Sequence, residues 1–229
     1  MARLQLQHVT RRFDNGQEGL SDVSLSIESG SMVFLTGHSG AGKSTLLKML
    51  IGAETPTTGR VLVDGSDVSQ LGPKQMPWYR RQVGIVLQDH NLLEERTVFD
   101  NVALPLRITH LSAKDIARRV RGALSTVDLS DKGGLFPKHL STGEQQRVGI
   151  ARAVVNRPRI ILADEPTGNL DPYLSRQVMS LFHQFCDLGS TVLVASHDID
   201  LIKDQGCRIL HLSQGALVQD TAGSSEATP

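Results

Sequence analysis

The chain has 229 residues, and its 24 lysines and arginines balance 24 aspartates and glutamates to a formal net charge of zero. That balance excludes a general polyanion-binding surface, and 39% hydrophobic against 21% charged residues excludes an intrinsically disordered chain. No apolar run reaches the roughly 18–20 residues that cross a bilayer, and Met1-Ala2-Arg3-Leu4-Gln5 lacks a signal-peptide core, so a soluble protein of a reducing compartment is expected.

The chain opens with strand patterns. Leu4 and Leu6 alternate with glutamines, and Val23, Leu25 and Ile27 alternate with serines, the period of a half-buried strand. Residues 32–35 form a continuous apolar run, which predicts a strand covered on both faces. A glycine-rich loop then leads into a helix predicted over 43–51, stopped by Gly52. Thr55-Pro56-Thr57-Thr58-Gly59 is turn chemistry, and short strands are predicted at 60–63 and 83–87. From about 97 to 156 the pattern is mostly helical. Ser112 opens one of these helices, with Ile116, Val120, Leu124 and Val127 as its apolar stripe and Arg118, Arg119 and Arg121 outside it. Strand patterns return at 160–163, 191–195 and 209–212. Asp171-Pro172 reads as N-cap and first residue of a helix that carries Val178, Leu181, Phe182, Phe185 and Leu188 to Gly189. The small, polar residues 220–229 are expected to be a disordered tail. Cys186 and Cys207 would allow one disulfide, but two buried reduced thiols are the expectation.

This alternation predicts an α/β fold with a parallel sheet and a helical insertion. Ligands of such sheets bind beyond the carboxyl ends of the strands, which points to the loops after Leu35, Leu87, Leu162 and Val194. Two motifs stand there. Gly37-His38-Ser39-Gly40-Ala41-Gly42-Lys43-Ser44 fits the phosphate-loop pattern between a buried strand and a helix. Its glycines let successive amides turn toward phosphate oxygens, Lys43 is placed for the β- and γ-phosphates, and Ser44 for Mg²⁺. Asp164-Glu165 puts two carboxylates at a strand mouth, where Asp164 suits the Mg²⁺ shell and Glu165 could polarise an attacking water.

Further segments carry a family resemblance. Leu140-Ser141-Thr142-Gly143-Glu144-Gln145-Gln146, opening a helix, resembles the signature of ABC-type ATPases. Gln88 resembles their Q-loop glutamine, Ser196-His197-Asp198 their switch histidine, and Gly168-Asn169-Leu170-Asp171 their D-loop. Order and spacing match from residue 2 to about 219. The resemblance implies one P-loop NTPase domain: a core over about 1–87 and 157–219 with an N-terminal antiparallel β-subdomain, and a helical subdomain over about 88–156. It implies ATP contacts from Phe13 on the adenine, from Gly37, His38, Ser39, Gly40, Ala41, Gly42, Lys43, Ser44 and Thr45, and from Gln88, Ser141, Gly143, Asp171 and His197. Mg²⁺ would be held by Ser44, Gln88 and Asp164. Glu165 would be the general base, with His197 and Lys43 catalytic beside it. Ser141 and Gly143 would serve the nucleotide of a second copy, so the resemblance implies a homodimer with ATP sandwiched at the seam. Thr142 stands where the family usually has glycine, and a positive φ there would strain it.

Within the family, the His38 and Gln88-Asp89-His90-Asn91-Leu92-Leu93 stretches, Arg96-Thr97-Val98, Asp100-Asn101-Val102-Ala103 and residues 143–156 resemble the bacterial cell-division branch. That branch implies a peripheral place on the cytoplasmic face of the inner membrane, with FtsX, a polytopic membrane protein, as partner. Other divisome proteins are possible partners, and the implied output is a signal to periplasmic cell-wall hydrolases. His90, Asn91, Leu92, Leu93 and Val98 are candidate docking residues. The alternative is the ATPase of a lipoprotein-release or macrolide-export transporter. No nucleic-acid partner is expected, because 98 positions between Lys43 and Ser141 leave no room for a long coiled-coil insertion.

Overall fold

In this computed structural model, which describes residues 3–168 and 170–223, the chain begins with two long antiparallel strands, β1 (Leu4–Arg12) and β2 (Glu18–Ile27). Their alternation sorts the side chains: Leu4, Leu6, Val9, Val23, Leu25 and Ile27 are buried while the residues between them face outward. β3 (Met32–Thr36) is buried at every position and runs through the glycine-rich loop into α1 (Lys43–Leu50). Gly52, at φ 65°, turns the chain out of that helix. β4 (Thr58–Val63) and β5 (Ser66–Asp67) complete an antiparallel sheet in the order β2-β1-β4-β5.

A short α2 (Met76–Arg80) precedes β6 (Val83–Val86), the edge of a second sheet. Three helices follow: α3 (Val98–Arg107), α4 (Ala113–Thr126) and α5 (Thr142–Val154). Hydroxyl caps start the first two, Thr97 accepting from the Asp100 amide and Ser112 from the Asp115 amide. On α4 the stripe turns inward, with Val120 and Leu124 buried and Ile116 packed against the same cluster. The βα alternation then resumes with β7 (Ile160–Asp164), α6 (Pro172–Asp187), β8 (Thr191–Ala195), α7 (Ile199–Lys203), β9 (Arg208–Ser213) and β10 (Ala216–Asp220).

The second sheet has the order β10-β9-β3-β8-β7-β6. Its five strands from β9 to β6 are parallel and β10 is antiparallel to β9. β3 therefore sits inside the sheet, and Phe34 points into a cluster with α3, α5 and α6 while Val33 and Leu35 point into a second cluster with α1 and the antiparallel sheet. This topology aims the carboxyl ends of β3, β6, β7 and β8 at one edge, where the motifs lie. Among the described residues no helix is long and apolar enough to cross a membrane.

The disordered tail expected from residue 220 is corrected in its first part. Asp220 closes β10, accepting from Arg208 Nε at 2.8 Å and Nη2 at 2.6 Å, while Arg208 Nη1 donates to the Ser26 carbonyl at 2.6 Å. Thr221 Oγ1 accepts from the Ile209 amide at 2.8 Å, and Thr221–Gly223 form a 3-10 turn. The small polar composition concealed an ion pair set up by the strand register. Residues 224–229 lie outside the described residues. The Arg208 hydrogen bonds hold the Asp220 carboxyl below its usual 3.8. A depressed carboxyl stabilises the fold above its unfolded pKa and loses that effect as pH falls through the folded value. Asp220→Asn should therefore lower stability by about 1–2 kcal/mol at neutral pH, and the gap from wild type should close below about pH 4. Thermal melts at the two pH values check it.

Cys186 and Cys207 are free and half-buried, both packed against the same core cluster. Burial raises both thiols, Cys186 to about 11.

Candidate active site

The phosphate loop is shaped by close backbone approach. Gly37 leaves β3 at φ 145°, and a Cβ there would stand 2.3 Å from the Leu212 carbonyl oxygen of β9. Gly42, at φ 107°, is the N-cap of α1 and would meet the Gly19 carbonyl at 2.5 Å. Neither position admits another residue. Gly42 also brings no capping side chain, and the first turn of α1 holds no acid. The helix thus keeps its N-terminal amides and partial positive charge for an external anion. Lys43, 8% exposed, folds back so that Nζ donates to the Gly37 carbonyl at 2.7 Å and the His38 carbonyl at 3.3 Å. His38 Nδ1 lies 2.7 Å from the Ser39 carbonyl.

β7 delivers the acids to the same edge. Ser44 Oγ donates to Asp164 Oδ2 at 2.9 Å. Glu165 follows in the left-handed region, φ 48°, a conformation that costs a residue with a Cβ about 1–2 kcal/mol. Its amide is tied to the Ala195 carbonyl of β8 at 2.9 Å. Its carboxylate, 13% exposed, lies 2.9 Å from Nδ1 of His197, whose own side chain is largely open. Strained backbone and a held carboxylate together fix where the acid points. Gln88 follows β6, and its amide nitrogen lies 3.8 Å from where a Cβ on Gly168 would stand.

These side chains open on one cleft of about 640 Å³. Of the residues predicted from the sequence, Phe13, His38, Ser39, Gly40, Ala41, Gly42, Lys43, Ser44, Thr45, Gln88, Asp164, Glu165 and His197 line it. Gly37 shapes the loop from behind. Gln17, Glu18 and Gly19 line the cleft too, and no motif marks them. The available signal was strand pairing: Arg12 faces Glu18, which carries residues 17–19 to the side of Phe13. The Arg11 guanidinium sits 5.0 Å from the Phe13 ring centroid, and a Cβ at Gly19 would come within 2.7 Å of that ring.

The donors fit a hard cation. Ser44 hydroxyl and Asp164 carboxylate already converge, and Gln88 shares the cleft. Among the described residues no group of three or more His, Cys, Asp or Glu could hold a metal. One carboxylate with neutral oxygens suits Mg²⁺ that takes its remaining ligands from phosphates and water.

Ser141, Gly143 and Asp171 are absent from that lining. Ser141 is the N-cap of α5 in a full capping box: Oγ accepts from the Glu144 amide at 3.3 Å and lies 3.1 Å from Glu144 Oε2, which also accepts from the Ser141 amide at 2.8 Å. The Ser141 amide is the main reason the Glu144 carboxyl sits below its usual range. Asp171 caps α6, its Oδ1 accepting from the Tyr173 and Leu174 amides. A Cβ on buried Gly143 would come 2.8 Å from Leu174 Cδ1, so glycine lets α5 approach α6. Thr142 is the first helical residue, with no positive φ, so threonine carries no strain there. Asn169 of the D-loop stretch lies outside the described residues.

The docking residues need correction. Val98 is fully buried and Leu92 packs against the core, because the loop before α3 folds inward. His90 is half-buried, and only Asn91 and Leu93 of the set are exposed.

A family model described as ABC transporter matches residues 20–168. The chain belongs to the ABC transporter ATPase family. Within it, the chain is 52% identical over 214 residues to the cell division ATP-binding protein FtsE of Escherichia coli, covering 93% of this chain and 96% of that one. It is 45% identical to FtsE of Mycobacterium tuberculosis, covering 95% of each. A dimeric ATP-binding cassette, MJ0796, solved in a post-hydrolysis state with ADP and Pi, superposes with a TM-score of 0.87 at 34% identity, over 95% of this chain and 97% of that one. The fold of this ABC ATPase is the family's α/β fold, with an antiparallel N-terminal sheet, a parallel core and a helical part.

For this ABC ATPase, Thr142→Gly should change phosphate release less than about twofold and stability by less than about 0.5 kcal/mol, since both residues are weak helix formers at a relaxed position. A steady-state assay and a thermal melt check it. A tenfold gain in rate would contradict the absence of strain.

Proposed function

We propose that this chain is the ATP-hydrolysing subunit of a bacterial cell-division ABC complex. It acts as a homodimer that clamps ATP at two seams and docks on an FtsX-like protein at the cytoplasmic face of the inner membrane. One observation carries the ATPase reading: free α1 amides, Lys43, the Ser44–Asp164 pair and the Glu165–His197 pair open on one cleft. Near full-length likeness to FtsE proteins supports the cell-division role.

The triphosphate lies against the N-terminus of α1, whose amides donate to its oxygens. Lys43 exchanges two neutral carbonyls for charged β- and γ-oxygens. Phe13 stacks on the adenine. Ser44 and Asp164, with Gln88 beside them, would hold Mg²⁺, which supplies neutralisation of the charge on the β- and γ-phosphates. Glu165 takes the proton of the attacking water, and its contact with His197 keeps the carboxylate turned to the γ-phosphate. With Nδ1–H donating to Glu165, His197 presents Nε2 to the cleft.

Ser141 and Gly143 stand at the amino end of α5, a second helix terminus suited to an anion. They serve the γ-phosphate bound by a second copy, and the Ser141 hydroxyl exchanges Glu144 for it. Hydrolysis removes the bridging phosphate and lets the copies part, a cycle the FtsX-like partner carries to periplasmic cell-wall hydrolases.

Purification of the native complex from bacterial membranes tests the assignment. Recovery of a four-span protein with a large extracytoplasmic loop supports it. Recovery of a lipoprotein-release or macrolide-export membrane subunit would replace it with the transport reading. Leu93→Asp should cut partner recovery about tenfold or more while phosphate release by the isolated chain and its melting hold, because Leu93 is exposed on the loop. Full recovery of the partner would remove the loop from the interface.

A further inference from the structure

Residues 89–97, which join β6 to α3, carry Gln88's chain away from the cleft, and one buried and one half-buried side chain hold them. Asn101 of α3, fully buried, accepts from the Leu93 amide at 2.8 Å and donates to the carbonyls of Leu93, Arg96 and Thr97 at 3.0, 3.2 and 3.0 Å. Arg152 of α5 donates from Nη1 to the Asn91 carbonyl at 2.7 Å and from Nη2 to the His90 carbonyl at 2.5 Å. Asn91 lies in the left-handed region at φ 46°, and both successive carbonyls reach one guanidinium. Gln146, 2% exposed on the same helix, leaves Nε2 without a hydrogen-bond partner among the described residues, as His90 does Nδ1.

The Arg152 contact is unusual in its chemistry. Burial pulls the guanidinium below the ordinary arginine range, and among the described residues no carboxylate pairs with it. A half-buried cation answered only by carbonyls gives up water for neutral partners, and the planar fork meets the two carbonyls with two separate nitrogens. Its position explains the exchange. Arg152 stands about 16 Å along α5 from Ser141, the residue that caps the helix.

We infer that Arg152 is a positioning residue: it fastens the loop that follows Gln88 to the helix that begins at Ser141, so that Gln88 and Ser141 shift as one body. The inference rests on the proposed two-copy ATPase. When Gln88 is drawn to a filled cleft, the displacement passes through His90 and Asn91 into α5 and reaches the seam at Ser141. Leu93 rides on the same loop, so a docked partner reads that displacement too. Without the fork, the nucleotide still binds at Phe13 and the phosphate loop, but closure is not transmitted.

The test uses the full chain with Arg152→Gln and Arg152→Lys. Steady-state phosphate release should show kcat down about tenfold or more for Arg152→Gln with KM for ATP within about threefold. Amide exchange at 90–93 should quicken at least about tenfold while β3 and β8 stay protected. Arg152→Lys, able to reach one carbonyl, should recover part of kcat, and it carries the test if Arg152→Gln fails to fold. Unchanged kcat and unchanged loop exchange would overturn the inference. So would equal loss of protection in the loop, β3 and β8, which marks general destabilisation. A wild-type chain with no ATP turnover would overturn the proposed function instead, and the exchange comparison would still decide whether Arg152 holds the loop.

Discussion

Glu165→Gln leaves ATP bound and stops its hydrolysis. The carboxylate is 13% exposed, held by His197 and able to accept a proton from water, while the cleft's Asp164 is engaged by the Ser44 hydroxyl. Glutamine keeps the shape and keeps an oxygen for His197 Nδ1, but it cannot take the proton. A general base of this kind contributes about 10²–10⁴-fold, or roughly 3–5 kcal/mol of barrier, so kcat should fall by that factor. The left-handed backbone at φ 48° costs both residues alike, so the melting temperature should shift less than about 2 °C. ATP affinity should hold, since the phosphate loop and Phe13 are untouched. Phosphate release measured beside calorimetric ATP binding separates the two effects. Turnover at the wild-type rate would remove Glu165 from the role of base.

Lys43→Ala gives the opposite split, losing affinity before turnover is in question. Lys43 is only 8% exposed and its ammonium is held by the loop's own Gly37 and His38 carbonyls, already at the place where a phosphate oxygen would compete for it. Exchange of those neutral acceptors for a phosphate is a charge-assisted gain of about 1.5–3 kcal/mol. The Kd for ATP should rise about 10- to 150-fold. The α1 amides remain, so binding weakens without vanishing. Titration calorimetry reads the change directly, and an unaltered Kd would mean that the lysine stays on its carbonyls when nucleotide arrives.

The sequence was most informative where a local pattern forces a local shape. The apolar run of β3, the glycines of the phosphate loop and the Ser112 and Asp171 caps all follow from neighbours within a few positions. The acids at the end of β7 follow in the same way. Contacts between distant segments were not visible. Arg152 and His90 are 62 positions apart, and nothing in either stretch announces the hydrogen bond. Val98 was a docking candidate through the family resemblance of its stretch, yet only packing against the core decides which side chains are turned in. β10 was missed because its hold depends on Arg208 across the hairpin rather than on its own composition. Thr142 shows a question that backbone geometry settles: a residue in helical φ at the first turn of α5 needs no glycine.

The central claim is that ATP joins two copies of this chain, one contributing the Lys43 loop and the other the Ser141 helix. Sedimentation velocity of the Glu165→Gln chain, with and without saturating ATP, tests it most directly. The account predicts monomers without nucleotide, dimers with it, and a return to monomers when Ser141→Arg is added. Monomers throughout, at ATP concentrations that calorimetry shows to be saturating, would contradict it.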